Sequence, residues 1–112
     1  MAGSVPTPPA IAIASSLTSQ EKSMSALLIT YDLNKPGQNY DKLYEKIKEL
    51  GTWWHYLDST WIVVSTLTPS QAFDRLKPTL DESDRVLVLN ITGDTYSGWL
   101  TETAWDWLKM HV

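Results

Sequence analysis

The pattern of apolar and polar positions predicts a strand and a helix at the start of the folded region. Apolar side chains run almost without interruption through residues 26–33, as expected for a strand covered on both faces. Residues 34–38 (NKPGQ) carry turn chemistry, and Asn39 is a suitable helix N-cap. Apolar residues then recur at helical spacing through residues 40–50, and Gly51 predicts the helix end.

The pattern next predicts a hairpin, a second helix and a fourth strand. Residues 53–57 and 60–66 predict two strands, the second through the high β-propensity of residues 61–64, with a turn at Asp58 and Ser59 between them. The segment Thr-Pro-Ser-Gln from Thr68 predicts a helix that opens with a capping box, and Pro78 predicts its end near Lys77. An acidic loop at residues 81–84 precedes the apolar run of residues 85–91.

A final helical pattern over residues 100–110 completes the order β-α-β-β-α-β plus a C-terminal helix. This order is the split β-α-β arrangement of ferredoxin-like folds. We therefore predict that residues 24–112 form one α+β domain with a four-stranded antiparallel sheet and two helices on one face. Residues 1–23 are rich in Pro, Ser, Thr and Ala, which predicts a disordered leader or an artificial extension.

Composition and charge limit the classes of function. The chain has no cysteine, which excludes disulfides and thiolate metal sites and fits a cytoplasmic protein. Its net charge of −4 and pI of about 4.9 count against tight binding to a nucleic acid but are compatible with a local basic patch. No apolar run reaches the roughly 20 residues of a membrane span.

The chain is unusually aromatic, with six Trp and five Tyr in 112 residues. Such residues often anchor interfaces, so we expect a homodimer and a Trp-rich surface that can bind a protein partner. Trp105 and Trp107 are separated by roughly 200° on a helical wheel, so at least one of them should face away from the core. Base stacking is the least favoured use of the C-terminal rings Trp99, Trp105 and Trp107, because positive charge is missing beside them.

Three segments carry a resemblance to a known family. Residues 27–33 (LLITYDL) resemble the first strand of the CRISPR-associated protein 2 family, whose fold the virulence-associated protein D toxins share. The closest resemblance is to a bacterial group described as SinR-family proteins, through YDLNKPGQ with Tyr40 and through residues 53–61 (WWHYLDSTW). The resemblance extends over roughly residues 26–108.

The resemblance implies a ferredoxin-like homodimer that binds Mg²⁺ and cleaves phosphodiester bonds. In the better-studied relatives, an aspartate of the first strand lies at the dimer interface, where two such carboxylates can hold the metal that activates water. In this chain that role falls on Asp32. Basic residues early in the first helix, a feature of the nuclease members, are reduced here to Lys35 and Lys42.

Each candidate site residue has two interpretations. Asp32 is a metal ligand or a residue that stabilises the turn after a strand. His55 is a general acid or base, or a strand residue that hydrogen-bonds within the sheet or at an interface. Ser59, together with Asp58 and Thr60, forms a small polar site with Asp32 if the hairpin reaches the end of the first strand; otherwise these residues only form a turn.

Two functions follow from these observations. The first is a metal-dependent endonuclease acting on RNA or DNA as a homodimer, with Asp32 as the Mg²⁺ ligand and catalytic centre, and His55 or Ser59 in support. The alternative is a non-catalytic dimeric module that binds a protein or nucleic-acid partner through its aromatic surface.

Overall fold

A computed structural model describes residues 24–112 of the chain as an α+β fold with four strands and three α-helices. The predicted leader, residues 1–23, lies outside the described residues. None of the helices in the described part combines the length and the apolar character needed to cross a bilayer. The elements are β1 (Ser25–Asp32), α1 (Asp41–Glu49), β2 (Thr52–Leu57), β3 (Thr60–Ser65), α2 (Pro69–Leu76), β4 (Arg85–Asn90) and α3 (Glu102–His111).

The four strands form one antiparallel sheet in the order β2-β3-β1-β4. The two central strands are β1 and β3, whose register places Leu28 opposite Ile62. On its other side β1 pairs with β4, so that Leu28 also lies opposite Leu89 and Asp32 lies opposite Arg85. The predicted α+β class, antiparallel sheet and strand order along the chain are confirmed.

The sheet is covered on both faces, because alternate residues of a strand point to opposite sides. Leu27 and Ile29 of β1 face α1 and α2 in the larger core cluster, which the buried residues Tyr31, Leu43, Ile47, Leu50, Trp61, Val63, Ala72 and Leu76 complete. Ala26 lies on the other face and packs with α3 in a second cluster, together with Trp54, Ile62, Ala104 and Leu108. The near-continuous apolar run of β1 follows from this double burial.

Local sequence signals determine where the helices begin and end. The Thr68 hydroxyl accepts a hydrogen bond from the Gln71 N–H, and the Gln71 side chain accepts one from the Thr68 N–H, so the predicted capping box is present. Helix α2 ends at Leu76 and passes into a 3₁₀ turn that contains Pro78, as predicted. The N-cap of α1 is Tyr40 and not the predicted Asn39, although the Asn39 side chain accepts a hydrogen bond from the Asp41 N–H at the start of the helix.

Two predictions about the chain's periphery need correction. Helix α3 begins at Glu102 instead of residue 100, because the Thr101 hydroxyl caps it by accepting a hydrogen bond from the Ala104 N–H. The expectation that Trp105 or Trp107 faces away from the core is wrong, since both are half-buried and pack against the second cluster.

Candidate active site

A cleft of about 280 Å³ opens where the end of β1 meets the hairpin tip and the start of β4. Thr30 and Asp32 point to the α3 side of the sheet, as do Ala26 and Leu28, but α3 packs over the opposite end of that face. The end of the sheet that carries Asp32 is therefore open. The cleft is lined by Thr30, Tyr31, Asp32, Ser59, Arg85, Val86 and Leu87.

Asp32 and Arg85 place opposite charges in this cleft. Asp32 is the exposed last residue of β1, and Arg85 is its cross-strand partner in β4. The Arg85 guanidinium donates hydrogen bonds to the carbonyl oxygens of Glu82, at 3.3 Å, and Asp84, at 3.0 Å. Neither of the two ion pairs within residues 24–112 includes Asp32 or Arg85. The cleft thus offers one carboxylate for a cation and one guanidinium for an anion.

Ser59 enters the cleft because the hairpin tip lies against the end of β1. The Tyr31 N–H donates to the Ser59 carbonyl oxygen at 3.1 Å, which extends the pairing of the two strands into the turn. The Thr30 and Thr60 hydroxyls lie 3.2 Å apart on the same face of the sheet. The predicted approach of the hairpin to the end of β1 is therefore present, and Asp32 and Ser59 share one cleft.

His55 does not reach this cleft. Its ring stacks on Trp61 with centroids 3.7 Å apart and planes 9° from parallel, and Trp61 belongs to the core cluster on the α1 and α2 face. His55 Nε2 also lies 3.1 Å from the carbonyl oxygen of Asp58, within the same hairpin. These contacts match a strand residue that hydrogen-bonds within the sheet, on the opposite face from Asp32.

A hydrogen-bond network around Asp84 holds the two loops that border the cleft. Asp84 Oδ1 accepts hydrogen bonds from the Asn34 N–H and the Tyr40 hydroxyl, both at 2.7 Å, and Oδ2 accepts one from the Asp81 N–H at 2.8 Å. Lys35 adds an ion pair to Asp81 at 3.2 Å. Asn34 is two residues after Asp32, and Asp84 directly precedes Arg85. The network therefore fixes the end of β1 against the start of β4.

The same contacts shift the pKa values of the network's carboxyl groups. Partial burial of Asp84 opposes its ionisation, but the hydrogen bonds from Tyr40, Asn34 and Asp81 outweigh this effect and lower its pKa. The hydroxyl and N–H of Ser83, with the Lys35 ammonium, lower the pKa of Asp81 to about 2. Both groups are consequently ionised at neutral pH and act as fixed acceptors.

One chain supplies few ligands for a hard metal ion. Within residues 24–112 no group of three or more His, Cys, Asp or Glu side chains is arranged to hold a metal. Mg²⁺ commonly binds one or two carboxylates and keeps several waters. Asp32 supplies one carboxylate in an open cleft, so the described part of one chain fits only a Mg²⁺ ion that keeps most of its waters.

Exposed aromatic residues surround a second cavity, next to the β2 end of the sheet. Its volume is about 370 Å³, and Tyr56, Leu57, Trp99, Leu100 and Thr101 line it. Trp99 is 98% exposed, and Tyr56 and Leu57 are each nearly half exposed. These residues form an apolar surface that the described part of the chain does not cover.

Comparison of the chain with family models, with curated proteins and with solved structures finds no match. The family resemblance of the three sequence segments thus remains a prediction.

Sequence reasoning missed Arg85 and Asp84 as parts of this site. Arg85 reads as the first residue of a strand, and only the register of β4 against β1 places it opposite Asp32. Asp84 reads as one of several acidic loop residues, although it is 9% exposed and accepts three hydrogen bonds. A buried acceptor needs donors from distant segments, and no local pattern reveals those.

Proposed function

We propose that the protein is a ferredoxin-like homodimer that cleaves phosphodiester bonds in a nucleic acid with Mg²⁺ bound at Asp32. The observation that carries the proposal is the shared cleft of Asp32, Ser59 and Arg85. The cleft joins a carboxylate, a hydroxyl and a guanidinium, groups that can hold a cation, hydrogen-bond a phosphate and neutralise its charge. The sequence resemblance independently supports Asp32 as the Mg²⁺ ligand. We also propose that the protein is cytoplasmic.

The uncovered part of the sheet supports the homodimer. Leu87 and Leu89 lie opposite Thr30 and Leu28 and therefore on the α3 face, yet they are 53% and 44% exposed. Leu87 also lines the Asp32 cleft. A second copy that covered these leucines would bury apolar area and bring its own Asp32 toward the first. Two copies together would then supply two Asp32 carboxylates, where one chain supplies one.

Each side chain of the cleft has a distinct role in this proposal. Asp32 would hold the Mg²⁺, which, when bound, lowers the pKa of water and stabilises the charge on phosphate. The Arg85 guanidinium would bind a non-bridging phosphate oxygen and orient the phosphodiester. The Ser59 hydroxyl would donate a hydrogen bond to the substrate. This proposal gives His55 no part in the reaction, since its ring stacks on Trp61 on the other face of the sheet.

The proposal is tested by incubating labelled single-stranded RNA and duplex DNA with the protein, in Mg²⁺ and in EDTA. Wild-type protein should cleave at least one substrate only with Mg²⁺, and Asp32→Asn should reduce cleavage by about 100-fold or more. Asp94→Asn is the matched control, because Asp94 is an exposed aspartate outside the cleft. Cleavage that survives Asp32→Asn, or a folded wild-type protein without cleavage in Mg²⁺, would contradict the proposal.

A second candidate function is a non-catalytic dimer that binds a protein partner. The exposure of Trp99, at 98%, favours it, because a tryptophan surrounded by apolar neighbours is a common interface anchor. Under this candidate Asp32→Asn leaves function unchanged, while Trp99→Ala abolishes partner binding. The cleavage assay separates the two candidates, since the second predicts no Mg²⁺-dependent product from a folded wild-type protein.

A further inference from the structure

An ordered array of aromatic rings lies beside the edge strand β2, on the opposite face of the sheet from Asp32. Its centre is Trp61, buried to 2% exposure, on which His55 stacks and against which Trp53 tilts with ring centroids 5.5 Å apart. Tyr44 of α1 lies nearly parallel to Trp61 at 6.2 Å. Trp53 is the outer ring, 44% exposed. Trp53 thus contacts Trp61 on its inner side and is partly open to solvent.

A lysine stands beside this outer ring. The Lys48 ammonium lies over Trp53, 5.1 Å from the ring centroid. Lys48 forms no ion pair with any other described residue, whereas Lys46 on the same helix is paired with Glu49 at 3.4 Å. Within residues 24–112, Trp53 is the one aromatic ring with a cation over it. Tyr56, Tyr96 and Trp99 are comparably exposed or more so but lack that charge.

We propose that Trp53 and Lys48 form a binding site for single-stranded nucleic acid, in which a nucleobase stacks on the Trp53 ring and Lys48 binds the adjoining phosphate. An exposed aromatic ring with a neighbouring cation is the combination that sequence-tolerant single-strand binders use. The Lys48 side chain is flexible, so its ammonium can move from the ring to a phosphate when a base takes its place.

The site selects single strands because a duplex hides the faces of its bases. In a duplex each base already stacks on its neighbours, so unstacking it costs free energy before it can stack on a protein ring. A single strand presents free faces at little cost. The net charge of −4 remains unfavourable for a polyanion, so we expect modest affinity that depends strongly on salt.

This site goes beyond the proposed cleavage function and does not require it. Trp53 and Asp32 lie on opposite faces of the sheet, and pairing of two copies through Leu87 would leave Trp53 uncovered. Binding at Trp53 needs neither Mg²⁺ nor Asp32. Experiments can therefore contradict the binding site at Trp53 and the cleavage function at Asp32 independently of each other.

The test measures binding of fluorescein-labelled single-stranded RNA and DNA of about ten nucleotides, and of the DNA duplex of the same sequence, by anisotropy in EDTA and low salt. Trp53→Ala should weaken binding roughly 5- to 150-fold, and Trp53→Phe, which keeps a ring, should restore most of it. Lys48→Gln should reduce the slope of log affinity against log salt by about 0.7, the loss of one phosphate contact. Comparison of the RNA and DNA affinities shows whether the 2′-hydroxyl of the sugar contributes to binding.

Tyr96→Ala is the matched control, since Tyr96 is as exposed as Trp53, at 45%, but has no cation over its ring. It should bind as wild type does. Circular dichroism confirms that each variant is folded. Unchanged binding by folded Trp53→Ala, absence of binding by wild type to both oligonucleotides, or a preference for duplex would each overturn the proposal. Loss of cleavage activity alone would leave it intact.

Discussion

At the scale of single residues, Asp84 is the acceptor that joins two loops distant in sequence. Its carboxylate binds donors from Asn34, Tyr40 and Asp81, so one side chain links the segment after β1 to the segment before β4. Hydrogen bonds to a charged group contribute more than those between neutral groups. We expect this carboxylate to matter for stability although it takes no part in chemistry.

Asp84→Ala should lower the free energy of unfolding by about 2–3 kcal/mol, because it leaves three donors without their charged acceptor. Urea unfolding followed by circular dichroism measures the change. Glu82→Ala is the control from the same loop: its side chain is exposed, and we expect a change within about 0.5 kcal/mol. Equal effects of the two substitutions would show that the network does not stabilise the fold.

Stability should fall on acidification because of the same carboxylates. In the unfolded chain Asp81 and Asp84 titrate near the ordinary value of 3.8, whereas in the folded protein both pKa values are lower, that of Asp81 at about 2. Their contribution is therefore complete above the unfolded value and is lost as the pH falls toward the folded values. The urea midpoint of the wild-type protein should decline between about pH 5 and about pH 2. The midpoint of Asp84→Ala should decline less over the same range, because that variant lacks one of the two carboxylates.

At the scale of elements, Gly51 allows β2 to begin directly after α1. A Cβ at this position would lie 1.9 Å from the carbonyl oxygen of Val64, a backbone atom of the paired strand β3 that cannot easily move. Gly51 was predicted as a helix stop, and the close approach of β3 gives a second and stronger reason for glycine there.

Gly51→Ala should destabilise the protein by about 1–3 kcal/mol, because the added methyl group must displace the β3 backbone. Thermal or urea unfolding measures the loss. Gly98→Ala is the control, since a Cβ there meets only the Trp105 side chain at 3.8 Å, an ordinary contact. An effect at Gly98 as large as that at Gly51 would count against the steric explanation.

The elements could be predicted from the sequence because their signals are local. The Thr68 capping box, Pro78 and the turn at Asp58 each act within a few residues, and the structure confirms all three. The candidate site was only partly predictable. Asp32 and Ser59 were named from their places after a strand and in a turn, but the partner opposite Asp32 depends on strand register, which joins segments more than 50 residues apart.

Trp105 and Trp107 show the limit of a helical wheel. The wheel separates their directions by roughly 200°, yet both rings pack against the second cluster, where Trp105 also stacks on Tyr96 and the Trp107 ring lies tilted by 41° to the His111 ring. A short helix lying across a sheet can bury side chains over a wide arc, because the flanking loop covers one side of it. Tertiary packing, and not the helical wheel, therefore determines how far Trp105 and Trp107 are buried.

At the scale of the whole molecule, the exposed leucines of β4 lead to a prediction about self-association. Leu87→Glu should convert the proposed dimer to a monomer, because a charge would be buried against the second copy. Sedimentation velocity measures the oligomeric state of each variant. Met110→Glu is the control, a 79% exposed apolar residue on α3, away from the cleft. A wild-type monomer, or a dimer that survives Leu87→Glu, would rule out this face as the interface.

The central position of β1 has a consequence for how the chain reaches this structure. β1 is the first described strand, and its neighbours in the sheet come from much later in the chain, with Leu27 opposite both Val63 and Asn90. On the ribosome, β1 must wait until β3 and then β4 have been synthesised, while the β2-β3 hairpin can form as soon as it emerges. We expect the docking of β4 to be the late step of folding. Until it occurs, the central strand β1 has an open edge that chaperones can recognise.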